Sequence, residues 1–88
     1  MSPAVTVFST GICPYCDAAK SLLARKGVAY EEIRVDLDQG QRELMESRSR
    51  RRTVPQIFIG DRHIGGFDDM AALDRAGELD SLLHLEPR

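Results

Sequence analysis

The chain lacks most of the features that assign a sequence to a class at a glance. No apolar run approaches the ~18 residues needed to cross a bilayer. The opening Met1-Ser2-Pro3-Ala4-Val5-Thr6 has neither a basic n-region nor an apolar h-region, so no secretory signal is expected. Formal net charge is −2, which gives no global field to draw nucleic acid or a membrane surface. Arg48-Ser49-Arg50-Arg51-Arg52 is the one local cationic run, and it lacks the interleaved aromatics of a nucleic-acid platform. No internal repeat, linker or low-complexity block stands out. Structural zinc needs four ligands. Here there is one cysteine pair, and His63 and His84 lie too far apart for ligand spacing, so no metal is expected within the chain.

Cysteine is scarce, and its placement is informative. The only two, Cys13 and Cys16, stand in Ser9-Thr10-Gly11-Ile12-Cys13-Pro14-Tyr15-Cys16-Asp17. Without a secretory signal the default compartment is the reducing cytoplasm, where a cysteine pair is more often catalytic or metal-binding than structural. A bridge across two residues would also close a very short loop, which constrains the unfolded chain least. A metal or iron–sulfur cluster shared between two chains stays open at this point.

At 88 residues the chain is expected to form a single domain, 1–88, burying roughly two thirds of its unfolded surface. Ala4–Phe8 alternates with β-branched and aromatic residues and reads as a strand. Pro14–Lys26 reads as a helix with Ala18, Ala19, Leu22 and Leu23 on one stripe and Gly27 at its C′ position. Val28–Val35 is a second strand candidate. Asp38-Gln39-Gly40-Gln41 has the form of a capping box opening a polar helix to about Ser49. Gln56–Ile59, the Gly60-Asp61 turn and Arg62–Ile64 form a hairpin signature. Asp68 or Asp69 is expected to cap the next helix, which carries Met70 and Leu73 and is interrupted at Gly77. A last short helix carries Leu79, Leu82, Leu83 and Leu85. The order β-α-β-α-β-β-α implies an α/β fold, a mixed four-stranded sheet with helices on both faces.

Cys13 falls between the first strand and a helix whose first residue would be Pro14, a favoured residue at that position. Free backbone N–H groups and the positive end of the helix dipole there favour a thiolate, so the Cys13 pKa should lie well below the free value of ~8.5. Cys16, one turn later, can reach back to close a disulfide. A fall of about three units would raise the thiolate fraction at pH 7 from ~3% to ~97%. Intrinsic nucleophilicity would drop roughly 16- to 32-fold over the same range, so for attack the two nearly cancel. The larger gain is in leaving ability, which suits an exchange catalyst.

Three motifs at these spacings, spanning about Val5 to Leu83, resemble the glutaredoxins, specifically the small bacterial dithiol type. They are Cys13-Pro14-Tyr15-Cys16, Thr53-Val54-Pro55 and Gly65-Gly66-Phe67-Asp68-Asp69. The resemblance implies a thioredoxin-like fold and glutathione-dependent thiol–disulfide exchange. Cys13 would attack and carry the adduct, Cys16 would resolve it, and glutathione would be a co-substrate with no permanently bound cofactor. It further implies a cis Val54–Pro55 bond that sets the Val54 backbone beside Cys13. Phe67 and Asp68 N–H groups would take the γ-glutamyl carboxylate, and the Asp68 carboxylate its ammonium. Tyr15, Thr53, Pro55 and Gly66 would flank the tripeptide, and Arg42 would face its glycyl carboxylate.

From local sequence alone, Tyr15 is exposed by position with core packing as the alternative, Asp68 could simply cap its helix and Arg42 could be a solvated helix residue. The chain departs from the family at Thr10, where many members carry a lysine. The arginine run, Arg52 foremost, is where a substitute cation would come from, although cations at a helix C-terminus are ordinarily solvated. The expected partners are glutathione and disulfide-bonded or glutathionylated proteins, with no nucleic acid or membrane and a monomeric, cytoplasmic protein. Two other readings remain: an electron donor reduced by thioredoxin reductase, and a [2Fe–2S] carrier formed as a glutathione-bridged dimer.

Overall fold

Residues 4–84 are described by the computed structural model, which sets eight elements around one sheet. In chain order they are β1 (Val5–Ser9), α1 (Pro14–Arg25), β2 (Glu31–Arg34), α2 (Gln39–Ser49), β3 (Gln56–Ile59), β4 (Arg62–Gly65), α3 (Phe67–Arg75) and α4 (Leu79–Leu82). The strands lie in the order β2-β1-β3-β4. β1 pairs parallel with β2 and antiparallel with β3, and β3 pairs antiparallel with β4. This is the mixed four-stranded sheet expected from the element order.

Strand alternation divides the core into two layers. Val5, Val7, Ile57 and Ile59 face one side, where Ala19, Leu22 and Leu23 of α1, Met70 of α3, and Leu79 and Leu83 cover them. Phe8 and Phe58 face the other side and meet Met45 of α2 and Val35. The two phenylalanine rings pack edge to face with centroids 5.8 Å apart, and the Arg48 guanidinium lies 4.3 Å above the Phe58 centroid. Helices therefore cover both faces. Leu85, assigned to the last helix from sequence, lies outside the described residues.

Local hydrogen bonding moves several expected boundaries. Gly27, at φ 73°, sits just after α1. Its N–H and that of Val28 donate back to the Ala24 and Leu23 carbonyls, the pattern of a Schellman cap. Because the Val28 N–H serves the helix end, the β-branched run does not become strand until Glu31. Gly77 and Glu78 repeat the same device after α3, donating to the Asp74 and Leu73 carbonyls.

At α2, Asp38 caps the Gln41 N–H at 3.2 Å as expected. The reciprocal half of the box does not form, since Gln41 Oε1 is buried without a hydrogen-bond partner among the described residues. The N-cap of α3 is Gly66, not Asp68 or Asp69. Asp69, at the third helical position, accepts the Gly66 N–H instead. Lys26 joins the ends of three helices through Asp74 at 2.7 Å and Asp80 at 2.6 Å.

Candidate active site at the start of helix α1

β1 delivers the chain to the sheet's end, and Cys13 adopts extended geometry (φ −155°, ψ 96°) as the N-cap of α1. Pro14 supplies the first helical residue, where its missing N–H costs nothing. The Cys16 N–H donates to Cys13 Sγ at 3.1 Å, and Asp17 N–H donates to the Cys13 carbonyl at 3.0 Å to close the first turn. The two cysteines are joined as a disulfide. Both cysteines are buried, Cys16 completely and Cys13 to all but 8%, so Cys13 is the less enclosed of the pair.

The loop before Cys13 is held by charge. Gly11 N–H donates to the Asp36 carboxylate at 3.2 Å, and Arg34 clamps the same carboxylate with bonds of 2.8 and 2.7 Å. The Arg34 hydrogen bond is the main reason the Asp36 pKa falls to about 2. The guanidinium covers Gly11 so closely that a Cβ there would collide with it.

Opposite the disulfide stands the loop before β3. Val54–Pro55 is cis, as expected, and the Val54 carbonyl oxygen lies 4.0 Å from Cys13 Sγ. A groove of about 210 Å³ runs beside it. Thr53, Val54 and Pro55 form one wall and Gly66, Phe67 and Asp68 the other. Tyr15, 63% exposed and not core-packed, stacks on Phe67 at the rim with ring centroids 6.4 Å apart. The walls approach closely: a Cβ on Gly66 would sit 3.5 Å from the Pro55 carbonyl oxygen.

The groove therefore gathers every substrate-binding residue proposed from sequence except Arg42. That side chain pairs with Glu46 at 3.7 Å and donates to the Arg52 carbonyl at 3.5 Å; it is not among the residues lining the groove. The arginine in the wall is Arg51, not Arg52. Arg50 ends α2 in the left-handed region (φ 59°), and the Ser49 hydroxyl donates back to the Met45 carbonyl at 2.7 Å and accepts the Arg51 N–H at 3.1 Å. This reversal turns Arg51 toward the groove, where it meets Asp69 at 3.0 Å. The Gly66 N–H first, and Arg51 second, hold the Asp69 carboxyl below the usual carboxylate range. A Cβ on Gly65 (φ 117°) would collide with that carboxylate.

Sequence reasoning also missed Gln56, which lines the groove yet is wholly buried. Its amide donates to the Thr53 carbonyl at 3.0 Å and to the Thr53 hydroxyl at 3.3 Å, and its Oε1 meets His63 Nε2 at 2.7 Å. Burial, then the positive charge of Arg51, lowers the His63 pKa. The signal for Gln56 was a lone amide opening the otherwise apolar run Gln56-Ile57-Phe58-Ile59. Among the described residues no cluster of three or more His, Cys, Asp or Glu could hold a metal ion, and no helix is long and apolar enough to cross a membrane.

The chain that carries this site is similar to known proteins over most of its length. A family model described as Glutaredoxin matches residues 5–64. Glutaredoxin 3 of Escherichia coli strain K12 is 52% identical over 79 residues, covering 90% of this chain and 95% of that protein. The chain belongs to the glutaredoxin family. The solution structure of a glutaredoxin from Brucella melitensis is 49% identical with a TM-score of 0.82, over 93% of this chain and 89% of the other. The buckwheat glutaredoxin–glutathione complex is 33% identical with a TM-score of 0.86, over 93% and 77% respectively. The fold is the thioredoxin-like one, and the activity is that of a thiol–disulfide oxidoreductase.

Proposed function

We propose that this glutaredoxin uses glutathione to reduce glutathione mixed disulfides and protein disulfides through Cys13, with Cys16 as the resolving thiol. The observation that carries the reading is the asymmetry of the pair. Cys13 caps the helix N-terminus beside the groove and keeps a small exposure, whereas Cys16, one turn on, is completely buried.

From the dithiol, the Cys13 thiolate attacks the glutathione sulfur of a mixed disulfide and expels the substrate thiolate. The Cys13–glutathione adduct then has two exits. A second glutathione thiolate can attack its own kind in the adduct, giving oxidised glutathione and free Cys13 thiolate. Alternatively, the Cys16 thiolate attacks Cys13 Sγ, expels glutathione and leaves the Cys13–Cys16 disulfide, which two further glutathiones reduce. In each step that releases Cys13, the Cys16 N–H and the helix end stabilise the leaving thiolate.

The groove suits the rest of the tripeptide. The start of α3 presents N–H groups at Phe67 and Asp68 that suit the γ-glutamyl carboxylate, because a helix N-terminus favours anions. The Asp68 carboxylate takes the ammonium, while Tyr15, Gly66 and Pro55 flank the chain. Thr53 and Val54 offer backbone groups to an extended peptide. Arg51 lines the groove where Arg42 does not, and through Asp69 it sits at the start of α3, where it adds a cation to the γ-glutamyl end of the site. The known complex of buckwheat glutaredoxin with glutathione supports this choice of ligand. The protein acts as a monomer in the reducing cytoplasm, on glutathionylated and disulfide-bonded proteins, and needs no bound cofactor.

The test is turnover of a glutathione mixed disulfide coupled to glutathione reductase, run beside the same assay with thioredoxin reductase. Activity only in the first supports the reading. Activity only in the second would replace glutathione as the reductant.

A further inference from the structure

The cis-proline loop owes its orientation to a residue on the far strand of the sheet. Gln56 is wholly buried, and its Nε2 is committed to the Thr53 carbonyl and hydroxyl. Its Oε1 therefore faces β4, where His63 Nε2 approaches to 2.7 Å. An amide oxygen can only accept, so the imidazole donates from Nε2. Both the neutral tautomer carrying that proton and the imidazolium supply the donor. The ring is held flat enough to reach by Phe58, 4.9 Å away with an interplanar angle of 33°.

The consequence lies in the next peptide plane. Thr53–Val54 is trans, so its carbonyl and N–H point to opposite sides of one plane. Drawing the Thr53 oxygen onto Gln56 turns the Val54 N–H away from Gln56. It also sets the plane that leads to the Val54 carbonyl, 4.0 Å from Cys13 Sγ. Both backbone groups of Val54 are thus aimed by Gln56. Without His63, the buried Gln56 oxygen would lack a donor, and the amide would have to rotate to find one, releasing Thr53.

We propose that His63 is a positioning residue for the glutathione site, acting through Gln56 on the Thr53–Val54 peptide. The role rests on the reading that glutathione occupies this groove. It is not a role for proton transfer, since the bond survives either protonation state of the ring.

Two substitutions separate the hydrogen bond from the ring. His63→Phe keeps an aromatic against Phe58 and removes the donor; His63→Gln keeps a donor and removes the ring. In the mixed-disulfide assay, His63→Phe should raise KM about three- to tenfold, while kcat and the alkylation rate of Cys13 stay within about twofold, a loss of order 1 kcal/mol in binding. His63→Gln should recover most of the KM. An unchanged KM in His63→Phe, or equal losses in both variants, overturns the proposal.

Nitrogen–proton NMR of the same proteins gives a readout without turnover. The Val54 amide and Gln56 side-chain signals should shift in His63→Phe and return towards their original positions in His63→Gln. If the unsubstituted protein turns over no glutathione mixed disulfide, the function reading fails. The spectra still decide the positioning, because Val54 and Gln56 signals that ignore His63→Phe would refute it.

Discussion

Asp69 bears two loads at the mouth of the groove, and removing it should reveal both. Its carboxylate accepts the Gly66 N–H at 2.9 Å, an orphan donor at the start of α3, and pairs with Arg51 at 3.0 Å. Losing such a cap costs about 1 kcal/mol. The ion pair is about half exposed on both sides, so screening keeps it to about 0.2–1 kcal/mol. Asp69→Ala should therefore lower stability by about 1–2 kcal/mol, and for a chain of this length Tm by roughly 4–16 °C. Asp69→Asn retains an acceptor for Gly66 and loses only the charge, so it should cost less than half as much. A double-mutant cycle with Arg51→Ala should give a coupling below about 1 kcal/mol. The Asp69 pKa is depressed in the folded state, so its stabilisation is present above ~4 and is lost as pH falls through the folded value. Thermal melts at neutral pH and near pH 3 would measure all of this. An Asp69→Ala Tm within about 2 °C of the original, or equal losses in Ala and Asn, would refute the division of labour.

Three further outcomes are expected. Arg50 holds φ 59° without being glycine, so Arg50→Gly should relieve about 1 kcal/mol of left-handed strain, less about 0.4–1 kcal/mol of unfolded-state entropy, for a net change between about zero and a gain of about 0.6 kcal/mol; a clearly lower urea midpoint would contradict this. The folded-state pKa of His63 is lowered, so the unfolded chain takes up that proton first. Stability from this group should be complete above ~6.5 and decline as pH falls from there to the folded value, and His63→Gln should flatten the slope of urea stability just below about pH 6.5. Identical slopes would show that the ring titrates alike in both states. In reduced Cys16→Ser protein, the Cys16 position's N–H at 3.1 Å should hold the Cys13 thiolate midpoint between about 5 and 7, read from ultraviolet thiolate absorbance against pH; a midpoint above about 8 would mean that the helix start contributes little.

Where sequence was enough, the reason is that local chemistry and fold point the same way. Cys13-Pro14-Tyr15-Cys16 marks a strand-to-helix junction because proline is favoured at the first helical position and the cysteine can cap it. Gly27 and Gly77 mark helix ends because each needs a positive φ. Where sequence fell short, a competing interaction prevailed. Val28 has strand character, but its N–H is spent on the Leu23 carbonyl. Asp68 and Asp69 both look like caps, yet the helix starts two residues earlier, and Asp69 serves from the third helical position by accepting the Gly66 N–H. The choice of Arg51 over Arg52 depends on a left-handed Arg50 and a Ser49 clamp, and nothing in an arginine run announces either. Gln56 was passed over because its partners, Thr53 and His63, meet only after the β3–β4 hairpin closes.

The central claim is that Cys13 alone attacks and carries glutathione. Reduced Cys16→Ser protein exposed to oxidised glutathione, digested and mapped by mass spectrometry, tests it most directly. One glutathione on the peptide containing Cys13, removed by added glutathione at a rate that sustains mixed-disulfide turnover, is the expected result. Turnover surviving in Cys13→Ser protein, with glutathione found on Cys16, would contradict it.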